Sequence, residues 1–246
     1  MKAMIFAAGL GTRLKPYTDT MPKALVPVAG VPMLKRVITR LTAAGYDDIV
    51  INVHHFADQI KDYVAANGNF SVKISYSDET DLLRETGGGL RHATPLLNDS
   101  VGPVLIHNVD IISDLDLEWF RNQHREGDLA TILVSDRKTA RYFLFDSDRQ
   151  LVGWTNVETG EVRSPYGKID LDQCEKLAFS GVHMVSPMIF DLMKGWPEKF
   201  PIVDFYLTYC RKYKIRAAVP QELRMFDIGK AESLDSVSAA VQNLQI

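Results

Sequence analysis

Residues 4–16 read MIFAAGLGTRLKP, and this stretch decides how the N-terminal part of the chain folds. Its first five residues are apolar, which predicts a short strand buried within a sheet. A loop with two glycines, Gly9 and Gly11, follows directly, so main-chain N–H groups there can approach a phosphate without obstruction by side chains. Because ligands of open α/β sheets bind beyond the carboxyl ends of the strands, this loop is a candidate phosphate site.

Outward from this strand, short apolar segments alternate with amphipathic ones, which is typical of α/β proteins with a largely parallel sheet. The segment 33–44 places Leu34, Val37, Ile38 and Leu41 at helical spacing, and Gly45 follows as a C-cap. We predict strands at 4–8, 49–53, 72–76, 104–108, 129–134, 178–185 and 216–219, and helices at 33–44, 57–66, 188–193, 203–212 and 231–244.

The pattern changes between residues 142 and 180, where the segments are shorter, more polar and interrupted by glycines. This pattern predicts hairpins, which we interpret as a small β-rich lid inserted into the main sheet. There is no internal repeat or long linker in the sequence. We therefore expect a single domain over 1–246, with a mostly parallel central sheet flanked by helices.

Composition excludes several classes of protein. The 246 residues carry 28 Lys and Arg against 31 Asp and Glu, a net charge of −3, so a nucleic-acid binder held by bulk positive potential is not expected. Two cysteines are too few for a disulfide framework. The apolar run after Met1 is too short for a signal peptide, and no run approaches the roughly 20 residues that cross a bilayer. We expect a cytoplasmic protein with no membrane partner.

The glycine-rich loop differs from two well-known phosphate loops. A Walker A loop would end in Gly-Lys-Ser/Thr, whereas this one continues from Gly11 into Thr12 and Arg13. A dinucleotide fingerprint would need a third glycine where Leu14 stands. The loop nevertheless offers cations for phosphate, since Arg13 can present a planar fork and Lys23 a mobile point charge.

The motif GLGTRL at 9–14, with Pro16, Thr18, Pro22-Lys23 and Pro27-Val28, closely resembles the signature of the sugar-1-phosphate nucleotidyltransferases. The resemblance covers residues 1 to about 234 and implies a Rossmann-like fold of the glycosyltransferase-A type. It implies that a nucleoside triphosphate and a sugar 1-phosphate give a nucleotide-sugar and pyrophosphate. The residues implied to hold the triphosphate are Ala8, Gly9, Gly11, Thr12, Arg13 and Lys23, of which Arg13 and Lys23 are also the implied catalytic residues.

Two aspartates are candidate metal ligands. Asp110 and Asp227 each follow a strand-like segment, so a shared sheet could bring both to one edge, although each could equally cap a turn or helix. The resemblance aligns both with the family's metal-binding aspartates and implies Mg²⁺, a cation that proteins hold through one or two carboxylates plus substrate phosphates. Val109 stands where the family usually has glycine, and its bulk is expected to narrow the ligand space or displace the metal.

The remaining substrate contacts are implied by the resemblance at three places. The stretch ETGGGL at 85–90 matches the base-recognition segment, with Thr86, Gly87 and Gly88 as contacts, and Asn108 joins the nucleotide-binding set. Ser180 and Gly181 match the strand that contacts the sugar. The lysine that often holds the sugar phosphate is missing from 154–157, and nothing near Lys168 marks it as a substitute.

Several activities remain open on the sequence. The ETGGG version of the base segment most resembles short uridylyltransferases that act on N-acetylmuramate 1-phosphate in cell-wall recycling, so UTP is favoured. The alternatives are a cytidylyl- or guanylyltransferase on another phosphorylated substrate, and a catalytically silent regulatory homologue that binds nucleotide or sugar. We expect a monomer or a small homo-oligomer.

Overall fold

A ten-stranded sheet forms the centre of the computed structural model, which describes residues 1–229, 231 and 234–244. The strands are β1 (Lys2–Phe6), β2 (Pro27–Val28), β3 (Val31–Pro32), β4 (Asp48–Val53), β5 (Lys73–Asp78), β6 (Val104–Asn108), β7 (Ile111–Ser113), β8 (Asp128–Ser135), β9 (Arg141–Phe145), β10 (Leu151–Asn156), β11 (Glu161–Arg163), β12 (Glu175–Val185), β13 (Lys214–Ala218) and β14 (Met225–Asp227). The helices are α1 (Met33–Ala43), α2 (Ala57–Ala66), α3 (Glu85–His92), α4 (Thr94–Leu97), α5 (Leu117–Gln123), α6 (Met188–Leu192), α7 (Ile202–Tyr209) and α8 (Leu234–Leu244).

The parallel part of the sheet runs in the order β6-β1-β4-β5. Met4 of β1 lies opposite Val50 of β4 and Ile106 of β6, and all three are fully buried. Continuous apolar runs such as β1 and β4 can be buried on both faces only if helices cover both sides of the sheet. Successive residues of β1 face opposite sides of the sheet. Ile5 packs in one apolar cluster with residues of α1 and α2, and Met4 packs in another with residues of α7.

The region 142–180 is an extension of the same sheet. Strands β11, β10 and β9 continue antiparallel from one half of β12, whose other half pairs antiparallel with β6 and β8. The predicted β-rich excursion is therefore present, and the 11-residue strand β12 carries it on the central sheet. Strand β13 adds to β8 in parallel. The α/β fold with a mostly parallel core, predicted from the alternating pattern, is confirmed.

Several predicted element boundaries change in the structure. The first strand ends at Phe6 rather than residue 8, because the N–H groups of Ala7 and Ala8 donate to the side chain of Asn52. The stretch 85–92, which the sequence analysis did not assign to a helix, forms α3. Helix α8 begins at Leu234, and the predicted start at 231–233 lies partly outside the described residues. Among the described residues, no helix is long and apolar enough to cross a membrane.

Candidate functional site

The loop after β1 is fixed by a buried polar side chain from the neighbouring strand. Asn52 Oδ1 accepts hydrogen bonds from Ala7 N at 2.6 Å and Ala8 N at 3.2 Å, and Asn52 Nδ2 donates to Glu79 Oε1 at 2.8 Å. Glu79 is fully buried, and its second oxygen accepts from Arg84 N at 3.0 Å. Because buried polar groups need partners, this network holds the strand end in one position and turns the chain out of the sheet.

The turn at Gly11 shapes the next part of the loop. Gly11 has φ 63°, and a Cβ on it would lie 2.8 Å from the Thr18 side chain and 3.0 Å from Lys23 Cβ, so a larger residue does not fit. Its carbonyl accepts from Leu14 N at 2.7 Å and from Thr18 Oγ1 at 2.9 Å. Thr12 and Arg13 follow in a short 3-10 turn with exposed side chains. The turn thus brings Lys23 against the glycine loop.

Lys23 and Asp110 form an ion pair at the centre of the site. Lys23 Nζ hydrogen-bonds Asp110 Oδ2, and the two side chains are only 12% and 20% exposed. Asp110 lies between β6 and β7, beside the carboxyl end of β1, so the parallel pairing of β1 and β6 brings the glycine loop and this carboxylate together. Partial burial strengthens the attraction between the two charges relative to a pair in water.

Asp227 reaches the same place through a separate pair of strands. Strand β14 pairs antiparallel with β7, which sets Asp227 opposite Ile111, and Ile228 N donates to Asp110 O at 2.9 Å. Burial raises the pKa of the Asp227 carboxyl, and the neighbouring charge of Asp110 raises it further. The two acids, 117 positions apart in the sequence, therefore come together as predicted, although a two-stranded ribbon rather than the central sheet does this.

Three cations act on the Asp227 carboxyl. The charges of Lys23, Arg137 and Arg13 each lower its pKa, against the effects of burial and Asp110. Arg13 lies near Asp227, because both side chains approach Gly229. A Cβ built on Gly229 would lie 3.1 Å from Arg13 Nη2 and 3.2 Å from Asp227 Oδ1. The structure thus surrounds two carboxylates with cations from different parts of the fold.

The donor set at this position fits Mg²⁺. The charge of Asp110 raises the pKa of the Asp227 carboxyl, so the two carboxylates repel each other, and a divalent cation between them would relieve that repulsion. Within the residues that the structure describes, no group of three or more His, Cys, Asp or Glu side chains could form a closed metal cage. Mg²⁺ needs no such cage, because it is normally held by one or two carboxylates together with water and substrate phosphates.

A cavity of about 250 Å³ opens beside these groups. Among the sequence-predicted residues, its lining includes Ala8, Gly9, Lys23, Thr86, Asn108 and Asp110. Its walls also include Asn52, Glu79 and Glu85, which the sequence analysis missed. Asn52 could have been found as the one polar residue in the apolar run 49–53, and Glu85 has an unusual left-handed backbone with φ 62°.

Gly87 and Gly88 do not line the cavity. Both lie in α3, and their N–H groups donate to the carbonyl of Phe200 at 2.9 and 3.0 Å. A Cβ on Gly87 would overlap the Phe200 ring, and one on Gly88 would overlap the carbonyl oxygen of Glu198. The glycines allow α3 to pack against the segment 198–200. Thr86, which does line the cavity, accepts from Ile202 N at 2.9 Å and is fixed by the same contact surface.

The predicted sugar strand lies on the other side of Asp110. A Cβ on Gly181 would lie 2.7 Å from Ile111 Cγ1 and 3.0 Å from Asn108 Nδ2, so this glycine lies directly against the residues that flank Asp110. Ser180 is fully buried and donates to Ser135 Oγ at 3.4 Å. Its side chain therefore faces the protein interior, and the residue exposes no surface for the predicted sugar contact.

Two departures from the family pattern have clear positions. Val109 is 3% exposed, lines the cavity, and donates its N–H to Phe6 O at 3.1 Å without a left-handed backbone. Its side chain is thus accommodated in the cavity wall, and the expected narrowing of the ligand space or displacement of the metal stays a prediction. Lys168 is an exposed residue in a turn of the 142–180 region, and no ion pair is found for it in the described part of the chain.

Comparison with known proteins identifies relatives over the whole length of the chain. The nucleotidyl transferase family model matches residues 2–243. An N-acetylmuramate alpha-1-phosphate uridylyltransferase of Caulobacter vibrioides is 34% identical over 229 residues, which is 91% of this chain and 90% of the relative. A protein of the same description from Neisseria meningitidis is 44% identical over 116 residues, 47% of this chain and 49% of the relative.

A solved structure shares the fold at lower identity. A putative glucose-1-phosphate thymidylyltransferase from Bacillus anthracis superimposes with a TM-score of 0.80 at 19% identity, covering 99% of this chain and 96% of the other. At that identity the likeness concerns the fold alone. The family match over nearly the whole sequence, together with the Caulobacter relative, shows that this chain belongs to the nucleotidyl transferase family.

Proposed function

We propose that this protein is a Mg²⁺-dependent sugar-1-phosphate nucleotidyltransferase that joins UTP to N-acetylmuramate 1-phosphate or a related hexose phosphate. The observation that carries the proposal is the meeting of Asp110 and Asp227 beside Lys23 and the glycine loop. The names of the two uridylyltransferase relatives support the choice of UTP and of the sugar. The product would be a nucleotide-sugar of the kind used in cell-wall recycling.

The reaction in this proposal is an in-line displacement at phosphorus. An oxygen of the sugar 1-phosphate attacks the α-phosphorus of the nucleotide, a new P–O bond forms, and the bond to the bridging oxygen of the departing pyrophosphate breaks. The attacking phosphate is already ionised near pH 7, so no side chain has to act as nucleophile or remove a proton. The protein therefore contributes positioning and charge stabilisation.

Different residues bind the triphosphate and stabilise its negative charge. Main-chain N–H groups of the loop 9–13 face the triphosphate, while Arg13 and Lys23 stabilise negative charge on it and on the leaving pyrophosphate. Mg²⁺, when held by Asp110 and Asp227, would supply further neutralisation of charge on the phosphates. Lys23 is already held in the site by Asp110, so little of its side-chain freedom remains to be lost on binding.

The base is proposed to lie in the cavity between the loop and the start of α3. Its lining offers the buried Glu79 carboxylate, Asn52 and Thr86, which can pair with the polar edge of a base while Leu83 and Phe6 contact its faces. Thr86 is the contact retained from the sequence analysis in this wall. We propose that Gly87 and Gly88 support the packing of α3 and do not contact the base, because their N–H groups donate to the carbonyl of Phe200.

A matrix of substrates tests this function. Pyrophosphate release is measured for UTP, CTP, GTP and ATP against N-acetylmuramate, glucose and mannose 1-phosphates, with Mg²⁺ and with EDTA. We expect the highest kcat/KM for UTP with N-acetylmuramate 1-phosphate and no turnover in EDTA. A cytidylyl- or guanylyltransferase would instead prefer CTP or GTP, and a silent homologue would bind nucleotide tightly without releasing pyrophosphate from any pair.

A further inference from the structure

The acceptor side of the site lacks an assigned cation. Arg13 and Lys23 both come from the segment after β1 and approach the carboxylates from that side. The reaction brings a second, doubly charged phosphate against the triphosphate, so a cation is needed where the sugar phosphate enters. The segment 154–157 contains no lysine, and Lys168 is exposed in a turn.

Arg137 stands on that other side. It follows β8 by two residues, and Val134 of β8 pairs with Phe179 of β12. Arg137 Nη2 donates to Phe179 O at 3.1 Å, which attaches the guanidinium to the segment of β12 that leads into Gly181. Since Gly181 lies directly against residues that flank Asp110, Arg137 is fixed to the strand that borders the carboxylate pair.

The guanidinium retains donors for a ligand. The hydrogen bond to Phe179 O uses one of its five N–H groups, and the side chain is exposed, so the planar fork can still face a phosphate. Its anchor, the carbonyl of Phe179, lies two residues before Gly181, and a Cβ on Gly181 would lie 3.0 Å from Nδ2 of Asn108, which lines the cavity. The next residue, Lys138, is also exposed, but no hydrogen bond from its side chain to β12 is found in the described part of the chain, so the anchor on Phe179 distinguishes Arg137.

We propose that Arg137 binds the phosphate of the acceptor sugar 1-phosphate and holds it in line with the nucleotide. This assignment rests on the proposed function. It gives the site three cationic side chains, which bind two different phosphate groups. Arg13 and Lys23 serve the triphosphate, and Arg137 serves the acceptor from the β12 side. A planar fork on a fixed carbonyl anchor suits this task, because it selects both the position and the orientation of a phosphate.

Steady-state kinetics of Arg137→Ala, Arg137→Lys and the matched control Lys138→Ala test the assignment. For Arg137→Ala we expect the KM for N-acetylmuramate 1-phosphate to rise about tenfold or more, the loss that follows from removing a charge-assisted hydrogen bond. The KM for UTP should stay within about twofold of wild type in the same variant. Arg137→Lys should recover part of the loss, and Lys138→Ala should behave as wild type.

Calorimetric titration separates this proposal from the proposed function. N-acetylmuramate 1-phosphate is titrated into each variant in the presence of Mg²⁺ and a non-hydrolysable UTP analogue, so turnover is not required. Weaker sugar-phosphate binding with unchanged binding of the UTP analogue supports Arg137 even if the wild type turns over no substrate pair. Equal losses for both ligands, or wild-type affinity in Arg137→Ala, would overturn the assignment. Because Arg137 is exposed, the variants should keep the wild-type melting temperature.

Discussion

Gly88→Ala tests the structural role found for the glycines of α3. A Cβ on Gly88 would overlap the carbonyl oxygen of Glu198 and lie 3.0 Å from the Glu198 carbonyl carbon and 3.1 Å from Arg84 Cβ. The first two are backbone atoms, which cannot rotate away as the end of a side chain can. The substitution must therefore push α3 away from the segment 198–200, and the hydrogen bond from Gly88 N to Phe200 O, now 3.0 Å, lengthens.

The expected cost follows from three contributions. Overpacking a close contact costs about 1–3 kcal/mol, and the weakened hydrogen bond costs up to about 1 kcal/mol more. Replacing glycine by alanine within a helix returns about 1 kcal/mol through helix propensity. The net loss in free energy of unfolding is at most about 3 kcal/mol and about 1.5 kcal/mol at the middle of these ranges, which for a chain of this size lowers Tm by roughly 3–6 °C.

Thermal unfolding and the KM for UTP are measured together on Gly88→Ala and on a control, Gly102→Ala. Gly102 has no atom within 4 Å of a Cβ position, so its substitution should leave Tm unchanged. For Gly88→Ala we expect a lower Tm and a higher KM for UTP, because Thr86 on the same helix lines the cavity. A Gly88→Ala protein with wild-type Tm and an altered KM would refute the packing role and restore a direct contact with the base.

Three further substitutions test the fold and the site. Burial lowers the pKa of His183 to about 3, so the unfolded state binds one more proton than the folded state and the free energy of unfolding falls as the pH is lowered. Between pH 6.5 and 5.5 we expect His183 to contribute a loss of about 1 kcal/mol. Urea unfolding at both pH values should show a smaller loss for His183→Gln than for the wild type. Asn52→Ala leaves two buried amides and Glu79 without their partner and should cost about 2–4 kcal/mol in urea unfolding; a cost below 1 kcal/mol would mean that the network does not hold the loop. Lys23→Ala should lower kcat for pyrophosphate release on the order of 10²-fold, while the exposed Lys15→Ala should not, and equal rates in both would make Lys23 structural.

Much of the fold followed from local patterns in the sequence. The apolar run at 4–8 and the alternation after it predicted a parallel sheet, because a strand buried on both faces needs helices on both sides. The glycine turn could be placed at the end of the first strand, because Gly9 and Gly11 follow the apolar run directly. The exact end of the strand could not be predicted, since it depends on a hydrogen bond that Ala7 N donates to Oδ1 of Asn52, which lies on a neighbouring strand.

The parts that sequence could not predict depend on contacts between distant residues. Three successive glycines favour a loop by propensity, yet α3 forms there because the glycines admit the backbone of 198–200, more than 100 residues away. Asp227 meets Asp110 through the pairing of β14 with β7, two three-residue strands too short to register as a pattern. The sequence suggested that the two acids could meet, but only the fold supplies the route.

We propose that Asp110 and Asp227 hold one divalent cation together with the nucleotide. Mn²⁺ binding in the presence of UTP, followed by electron paramagnetic resonance, tests it on Asp110→Asn, Asp227→Asn and the exposed control Asp148→Asn. We predict one tightly bound ion per chain in the wild type and the control. The affinity for Mn²⁺ should fall at least about tenfold in Asp110→Asn and in Asp227→Asn. A loss of that size already follows when a residue that only hydrogen-bonds to a metal ligand is replaced. Wild-type Mn²⁺ affinity in either Asp110→Asn or Asp227→Asn would contradict the account.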